Sequence, residues 1–305
     1  MNAPTPATHI IVTEVGTRDG FQAEPIFIST ERKVEVINGL IDAGVQSFET
    51  TSFVSPRAVP QMADASEVMA HVQRKPGVRL TALVPNARGA ERAAAAQVDM
   101  MACFVSASET HCQANLNKSR AAALADVHEF TPIAQQFHIP VRGAVATAFG
   151  CPFEGEVAQD RVVAMAVALA DAGPVEIGLA DTIGVGNPAQ VSALVAKVRA
   201  AVPHIPVRVH FHNTRGTGLA NVWAAIAAGA VTVDASIGGL GGCPFAPGAA
   251  GNVSTEDVVY MLERAGVRTG LDLSALVSAN HWLGEIMQRT LPGMVAKAPP
   301  FPKQA

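Results

Sequence analysis

The chain has 305 residues, 49% of them hydrophobic and 16% charged, with a formal net charge of −4, enough apolar material for one large or two medium globular domains. No Lys/Arg cluster interleaved with aromatics offers a track for a phosphate backbone, so nucleic acid is not an expected partner. The opening "MNAPTPATHI" lacks a basic start followed by an apolar core, and no apolar run approaches the ~18 residues that cross a bilayer; a cytoplasmic protein without a membrane partner is expected.

In chain order, the first β-branched run is "IIVTEV", followed by the polar stretch "GTRDGFQAEP". After "FIST", where Ser29 or Thr30 can cap, Val34, Ile37, Leu40 and Ile41 fall on one helical face and Gly44 signals the stop. The runs "SFETTSF", "LTALVP", "MMACFVSAS", "IPVRGAVATAF", "PVEIGLADT", "IPVRVHFH" and "AVTVDASI" follow. They start roughly 30 residues apart, the length of a strand plus a crossover helix. Their nearly continuous apolar character predicts a parallel sheet buried on both faces. Eight such units between Ile10 and Ile237 predict an α/β fold, a (β/α)8 TIM barrel. An open doubly wound sheet would place a GxGxxG loop after the first strand, and none is present. Residues 252–305 read as additional C-terminal helices with a Pro-rich tail. The expectation is one catalytic domain over 1–305, its barrel spanning about 10–250.

In such a barrel the chemistry belongs at the C-terminal ends of the strands. His210 and His212, one residue apart at the end of the seventh strand, share a face about 7 Å apart and can converge on one ion. The first strand's end offers Glu14, Arg18 and Asp19. Glu49, alternating with Phe48, can point inward, and Asp181 ends the sixth strand at the same rim. Several carboxylates and two imidazoles around one mouth are costly unless a cation sits among them. Arg18 then faces substrate, its fixed fork suited to a carboxylate or a developing enolate oxygen. Gly16 and Gly20 permit the tight path around it. "SASETHCQANLNKS", with Ser106, Ser108, Glu109 and His111, reads as a solvated loop, and His71, His128, His138 and His204 as surface residues. Four cysteines without a CxxC pair suggest neither a disulfide framework nor a cysteine zinc site, and Cys103 reads as a buried small hydrophobe.

Six segments carry a resemblance: "EVGTRDGFQAE", "ETTSFVSPRAVPQMADASEV", "GCPFEG", "LADTIGVGNP", "VHFHNTRGTGLAN" and "GGLGGCPFAPGAAGNVSTEDVVYMLE". Together, over about Ile10 to Gln288, they resemble the 3-hydroxy-3-methylglutaryl-CoA lyase family, metal-dependent barrel lyases related to the Claisen synthases. The resemblance implies one Mg²⁺ or Mn²⁺ held by Asp19, His210, His212 and Asn252. It implies Arg18 and Cys243 as catalytic residues and Gln22, Glu14, Glu49 and Asp181 as further polar residues of the site. The stretch "HFHNTRG" departs from the "HCHDTYG" of animal forms at Asn213 and Arg215, and no cysteine follows Cys243.

The implied reaction is retro-Claisen cleavage of 3-hydroxy-3-methylglutaryl-CoA to acetoacetate and acetyl-CoA, a step of leucine degradation. His210 or Asp181 takes the hydroxyl proton, Arg18 neutralises the enolate, and Cys243 returns a proton to its carbon. The glycine-rich stretch around Cys243 reads as a lid tied at Asn252. Asn115, with Lys118, is the candidate for the CoA nucleotide, and a homodimer is the expected assembly. The alternatives are a lyase for citramalyl-CoA or isohexenylglutaryl-CoA, a forward Claisen synthase, and a non-catalytic acyl-CoA-binding barrel.

Overall fold

The computed structural model describes residues 9–242 and 251–301. Cys243, and the lid expected around it, lie outside the described residues. The strands are β1 (Ile11–Glu14), β2 (Ser47–Ser52), β3 (Arg79–Leu83), β4 (Met100–Ser106), β5 (Val141–Ala146), β6 (Ile177–Asp181), β7 (Val207–Phe211) and β8 (Thr232–Ala235). Each coincides with one of the eight β-branched runs, β3 starting one residue before its run. They form a closed, all-parallel barrel in sequence order, sealed where β1 pairs with β8 from Ile11↔Thr232 to Glu14↔Ala235. The expected (β/α)8 barrel is present.

Ten α-helices are described: α1 (Thr30–Asp42), α2 (Ala65–His71), α3 (Ala87–Ala95), α4 (Glu109–Leu116), α5 (Arg120–Gln136), α6 (Gln159–Ala170), α7 (Pro188–Ala201), α8 (Gly218–Ala227), α9 (Thr255–Arg264) and α10 (Leu273–Ile286). The last two are the expected C-terminal helices, α9 beside β1 and α10 against α1.

Helix α1 starts where Ser29 accepts a hydrogen bond from the Arg32 amide and ends before Gly44, whose φ of 93° few other residues adopt. Its buried stripe is Lys33, Val36, Ile37, Leu40 and Ile41. Val34, expected in the core, is half-buried. Lys33 takes part in the stripe because its ammonium reaches Asp64 Oδ1 at 2.6 Å and the Gln61 carbonyl at 2.5 Å, so no charge is left unpaired there.

The register decides which side chains enter the barrel. Neighbouring strands pair Ala180↔His210, His210↔Asp234 and Thr13↔Asp234, so these residues occupy one rung and share a face. The interior below the mouth is charged rather than oily: Glu49, Arg142, Arg208 and Asp234 are each at most 3% exposed. The apolar core lies mainly between the sheet and its helices, with residues such as Phe48, Leu80, Val145, Leu179, Phe211 and Val233.

Candidate metal centre and active site

At the end of β1 the chain makes a single π-helical turn, Gly16–Gly20. A Cβ at Gly16 would lie 2.7 Å from Glu14 Oε1 and 2.8 Å from Ser236 Oγ, so only glycine passes there. This turn carries Arg18 and Asp19 to the mouth. Barrel closure then brings Asp19 against β7, nearly 200 residues away in sequence.

One donor atom each from Asp19, His210 and His212 lie within 4.8 Å of one another, and the two imidazole centroids are 5.2 Å apart. Asn252 joins them because residues 251–253 run beside the end of β7: His212 bridges to Asn252, and the Val253 amide donates to the Phe211 carbonyl at 3.0 Å. The Asn252 amide donates to Asp19 Oδ2 at 2.8 Å and to the Leu240 carbonyl at 3.0 Å. Gln22 Nε2 approaches Asp19 Oδ1 at 3.4 Å.

Two atoms of this group stand buried with no hydrogen-bond partner among the described residues: Asn252 Oδ1 and His212 Nδ1. A cation-binding role accounts for an otherwise costly orphan oxygen. Charge states agree. Burial works against the Asp19 charge, but Arg18, His210 and His212 outweigh it and hold the carboxyl below its ordinary value. Burial, with His210 beside it, lowers His212 to about 4, so its ring is neutral near physiological pH. Carboxylate, amide oxygen and neutral imidazole form a donor set that suits a divalent ion.

Arg18 is clamped from two sides. Its Nη1 lies 2.6 Å from Asp19 Oδ1, and its Nε donates to Glu49 Oε1 at 2.5 Å. Glu49 receives Arg142 on its other oxygen at 2.5 Å. Burial opposes the Glu49 charge, yet Arg18, Arg142 and Arg208 push its carboxyl far below the ordinary range. Glu49 therefore points inward as expected, but it acts on Arg18 rather than among the metal donors.

Two expectations are corrected by strand parity. Glu14 was expected among the polar residues of the site; it follows Thr13, whose partner is the inward-facing Asp234, and so faces out of the barrel. Fully buried beneath α9, Glu14 accepts from the amides of Gly16 at 2.7 Å and Ile237 at 2.9 Å and from the Thr255 hydroxyl at 2.6 Å. Asp181 was expected as a catalytic base; it pairs with Phe211 and not His210, and so turns away from the centre. Its oxygens accept from the amides of Val185 and Gly186, each at 2.9 Å, fixing the loop after β6. Burial raises its carboxyl above the ordinary value despite those bonds.

His210 remains at the mouth, with Nδ1 at 3.3 Å from Asp234 Oδ2. That contact leaves Nε2 for the centre, and one nitrogen cannot both hold a cation and take a proton. The metal-donor role is retained for His210 and the base role is not.

Part of the stretch expected as a solvated loop is buried instead, at Ser106, Ser108 and His111, while Glu109 and residues 113–115 are exposed. Ser108 caps α4, Ser106 Oγ meets Thr147 Oγ1 at 2.9 Å and His111 Nδ1 at 3.1 Å, and Cys151 Sγ donates to Ser108 Oγ at 3.0 Å. Asn115, offered for the CoA nucleotide, is exposed on α4. His71, His128, His138 and His204 are exposed and Cys103 is buried, as expected. Asn213 accepts from the Gly218 amide at the start of α8 at 3.0 Å, and Arg215 reaches the carbonyls of Ile183 and Gly184 at the rim. Arg142, Arg208 and Asp234 were not foreseen; the available signal was a charged residue within each apolar strand run.

A parallel eightfold barrel with a carboxylate, two imidazoles and a buried amide beside a clamped arginine at its mouth belongs to the barrel enzymes with a candidate cation centre. More narrowly, the chain belongs to the HMGL-like family, whose family model matches residues 9–283. It is 43% identical over 283 residues to the hydroxymethylglutaryl-CoA lyase of Bacillus subtilis, covering 93% of this chain and 95% of that one. It is 41% identical over 287 residues to the mitochondrial hydroxymethylglutaryl-CoA lyase of Homo sapiens, covering 94% and 88%. Among solved structures it superposes with a TM-score of 0.93 on an HMG-CoA lyase from Acinetobacter baumannii in complex with coenzyme A and 3-methylmalate, at 40% identity over 98% of this chain and 97% of that one. No described helix is long and apolar enough to cross a membrane.

Proposed function

We propose that this protein is a divalent-metal-dependent carbon-carbon lyase that cleaves 3-hydroxy-3-methylglutaryl-CoA to acetoacetate and acetyl-CoA. The observation that carries the reading is the convergence of Asp19, His210 and His212 in a chain alike, over nearly its whole length, to hydroxymethylglutaryl-CoA lyases. Asp19, His210, His212 and Asn252 would hold Mg²⁺ or Mn²⁺. A bound divalent cation supplies acidity to the substrate's tertiary hydroxyl, as it does to a bound water.

The chain's residues supply the rest. Asp19 and His212 are already in their donor protonation states, so metal binding need not displace a proton from either near neutral pH. The hydroxyl proton passes to solvent water at the mouth; the oxygen's electrons form the ketone of acetoacetate while the adjacent carbon-carbon bond breaks, and that bond's electron pair stays on the departing carbon as the enolate of acetyl-CoA. Arg18, held in direction by Glu49 and Asp19, neutralises that enolate oxygen; removing one such donor costs on the order of 10² to 10³ in rate. Glu49 stays ionised throughout and positions Arg18.

Cys243 is the proposed proton donor to the enolate carbon. Support comes from the described flanks of its segment, which meet: a Cβ on Gly251 would lie 2.9 Å from both the nitrogen and the oxygen of Gly241. The described flanks Gly241 and Gly251 thus lie together beside Asn252. Gln22, beside Asp19, is retained as a substrate-binding residue, and Asn115 as a candidate for the CoA moiety. The single-domain organisation, the homodimer, the cytoplasmic location and the role in leucine degradation belong to the same reading.

The test is acetoacetate release from 3-hydroxy-3-methylglutaryl-CoA by chelator-stripped protein with Mg²⁺ or Mn²⁺ restored, beside citramalyl-CoA and isohexenylglutaryl-CoA. Metal-dependent release from the first, faster than from the others, is expected. Cleavage of only a branched analogue would move the assignment to that substrate, and inactivity on all three with either metal would refute it. The Cys243→Ser variant should lose turnover while binding metal normally; unchanged turnover would remove the thiol from the mechanism.

A further inference from the structure

We propose that Arg208 is a positioning residue for the metal centre: by clamping Asp234 it fixes His210 with Nδ1–H toward the carboxylate and Nε2 toward Asp19 and His212. The proposal rests on the reading of the mouth as a cation site. Arg208 lies two residues before His210 on β7, on the same face and one step deeper in the barrel.

Its guanidinium spans two acids. Nη1 donates to Asp234 Oδ2, the oxygen that His210 Nδ1 approaches at 3.3 Å. On the other side Nε lies 3.2 Å from Glu176 Oε2, and Glu176 is itself held by the Thr232 hydroxyl at 2.6 Å. The side chains of Arg208 and Asp234 are 4% and 2% exposed, so the pair is held out of bulk solvent.

The barrel keeps room for this arrangement. A Cβ at Gly178, the register partner of Arg208 on β6, would lie 2.8 Å from Arg208 Nη2 and 3.0 Å from Ala144 Cβ. Only a glycine lets the guanidinium lie flat across that rung.

The physical need is specific. Asp234 Oδ1 has no hydrogen-bond partner among the described residues, and Arg208 is the cation that pairs directly with this buried carboxylate. The arginine keeps Asp234 an acceptor, and an acceptor at Nδ1 selects the Nδ1–H tautomer, which leaves a lone pair on Nε2. Arg208 pairs directly with Asp234, and Asp234 is the group that touches His210.

The experiment uses the full chain, stripped of metal, as wild type, Arg208→Met and Arg208→Lys. It reads the His210 tautomer from ¹⁵N imidazole shifts, assigned with His210→Gln, and Mn²⁺ affinity by calorimetry. Wild type should show one His210 tautomer. Arg208→Met should show a mixture and bind Mn²⁺ on the order of 10- to 100-fold more weakly, and Arg208→Lys should recover most of both.

A folded Arg208→Met with wild-type imidazole signals and Mn²⁺ affinity within about twofold of wild type would overturn the proposal. If Arg208→Met does not fold, Gly178→Ala presses on the guanidinium without removing its charge. Mixed tautomers and weaker Mn²⁺ binding in that variant would support the role, and wild-type values of both would overturn it. Neither readout uses a thioester, so failure of lyase activity in the wild type would count against the proposed reaction and not against this role.

Discussion

The substitution Glu14→Gln offers a test of what holds the barrel's seam. Burial pushes the Glu14 carboxyl from its ordinary 4.5 up to about 7, although the Thr255 hydroxyl and the amides of Ile237 and Gly16 all favour the charged form. A raised folded-state value means the folded protein binds the proton more tightly than the unfolded chain. The resulting stabilisation is complete below about 4.5 and is lost as pH rises through about 7. That gap, at about 1.4 kcal/mol per pH unit, amounts to roughly 3 kcal/mol. Carboxyls held low, such as Asp19 and Glu49, give up their contribution only below the ordinary carboxylate range and do not obscure the window.

Glutamine keeps an oxygen for the two amides and cannot titrate, so the isostere isolates the term. Urea unfolding of both proteins from pH 5 to 8, with chelator present throughout, should show the wild type losing stability relative to Glu14→Gln by roughly 3 kcal/mol, most of it below pH 7. Parallel stability curves would refute the claim that burial outweighs the three hydrogen bonds.

Asn252→Ala removes the orphan oxygen and should weaken Mn²⁺ binding measured by calorimetry; unchanged affinity would take Asn252 out of the donor set. Glu49→Gln loosens one side of the Arg18 clamp while leaving every proposed donor in place, so steady-state kinetics should show lower kcat with Mn²⁺ affinity retained. Arg142→Met strips Glu49 of its second cation in a site 2% exposed, and denaturant titration should show a loss of roughly 3–5 kcal/mol. Burial pushes the Cys103 thiol up to about 12, so a thiol reagent at mildly alkaline pH should modify it only after unfolding, as read by mass spectrometry of native and denatured protein.

The strands were legible because a parallel barrel strand is buried on both faces and stands out as a mostly apolar, β-branched run, even where its inward face carries charge, as in β7 and β8. The helical stripe was read with one error: Val34 looked like a core position, while the buried place belongs to Lys33, whose partner Asp64 lies in a different segment and leaves no mark on local periodicity. His210 and His212 were legible because alternation alone puts both on one face.

Glu14 and Asp181 were misread for the converse reason. Which face a strand-end carboxylate takes depends on register with the next strand, and a sequence gives parity within a strand but not across the sheet. Arg142, Arg208 and Asp234 passed unnoticed because a lone charge in an apolar run looks like noise until its partner is known. Those partners arrive from β2 and from between β7 and β8, set by closure.

Closure also links the buried carboxylate of the seam to the chemistry above it. Asp19 and Asn252 are 233 positions apart and meet across the gap between the first and last strands. Glu14 lies directly under that junction. Its bonds to Gly16 and Ile237 fix the turn that carries Arg18 and Asp19 to the turn that follows β8, and its bond to Thr255 fixes both to the start of α9, three residues beyond Asn252. A metal site assembled from opposite ends of a chain needs its ends registered to a few tenths of an ångström, and ligands alone would have to supply that ordering on binding. Above about pH 7 the seam holds an ionised, buried carboxylate, and local opening that hydrates it should loosen the meeting of Asp19 with Asn252 before the barrel unfolds. Mn²⁺ affinity of wild type relative to Glu14→Gln should fall between pH 6 and 8; a constant ratio would show that the seam and the centre are mechanically independent.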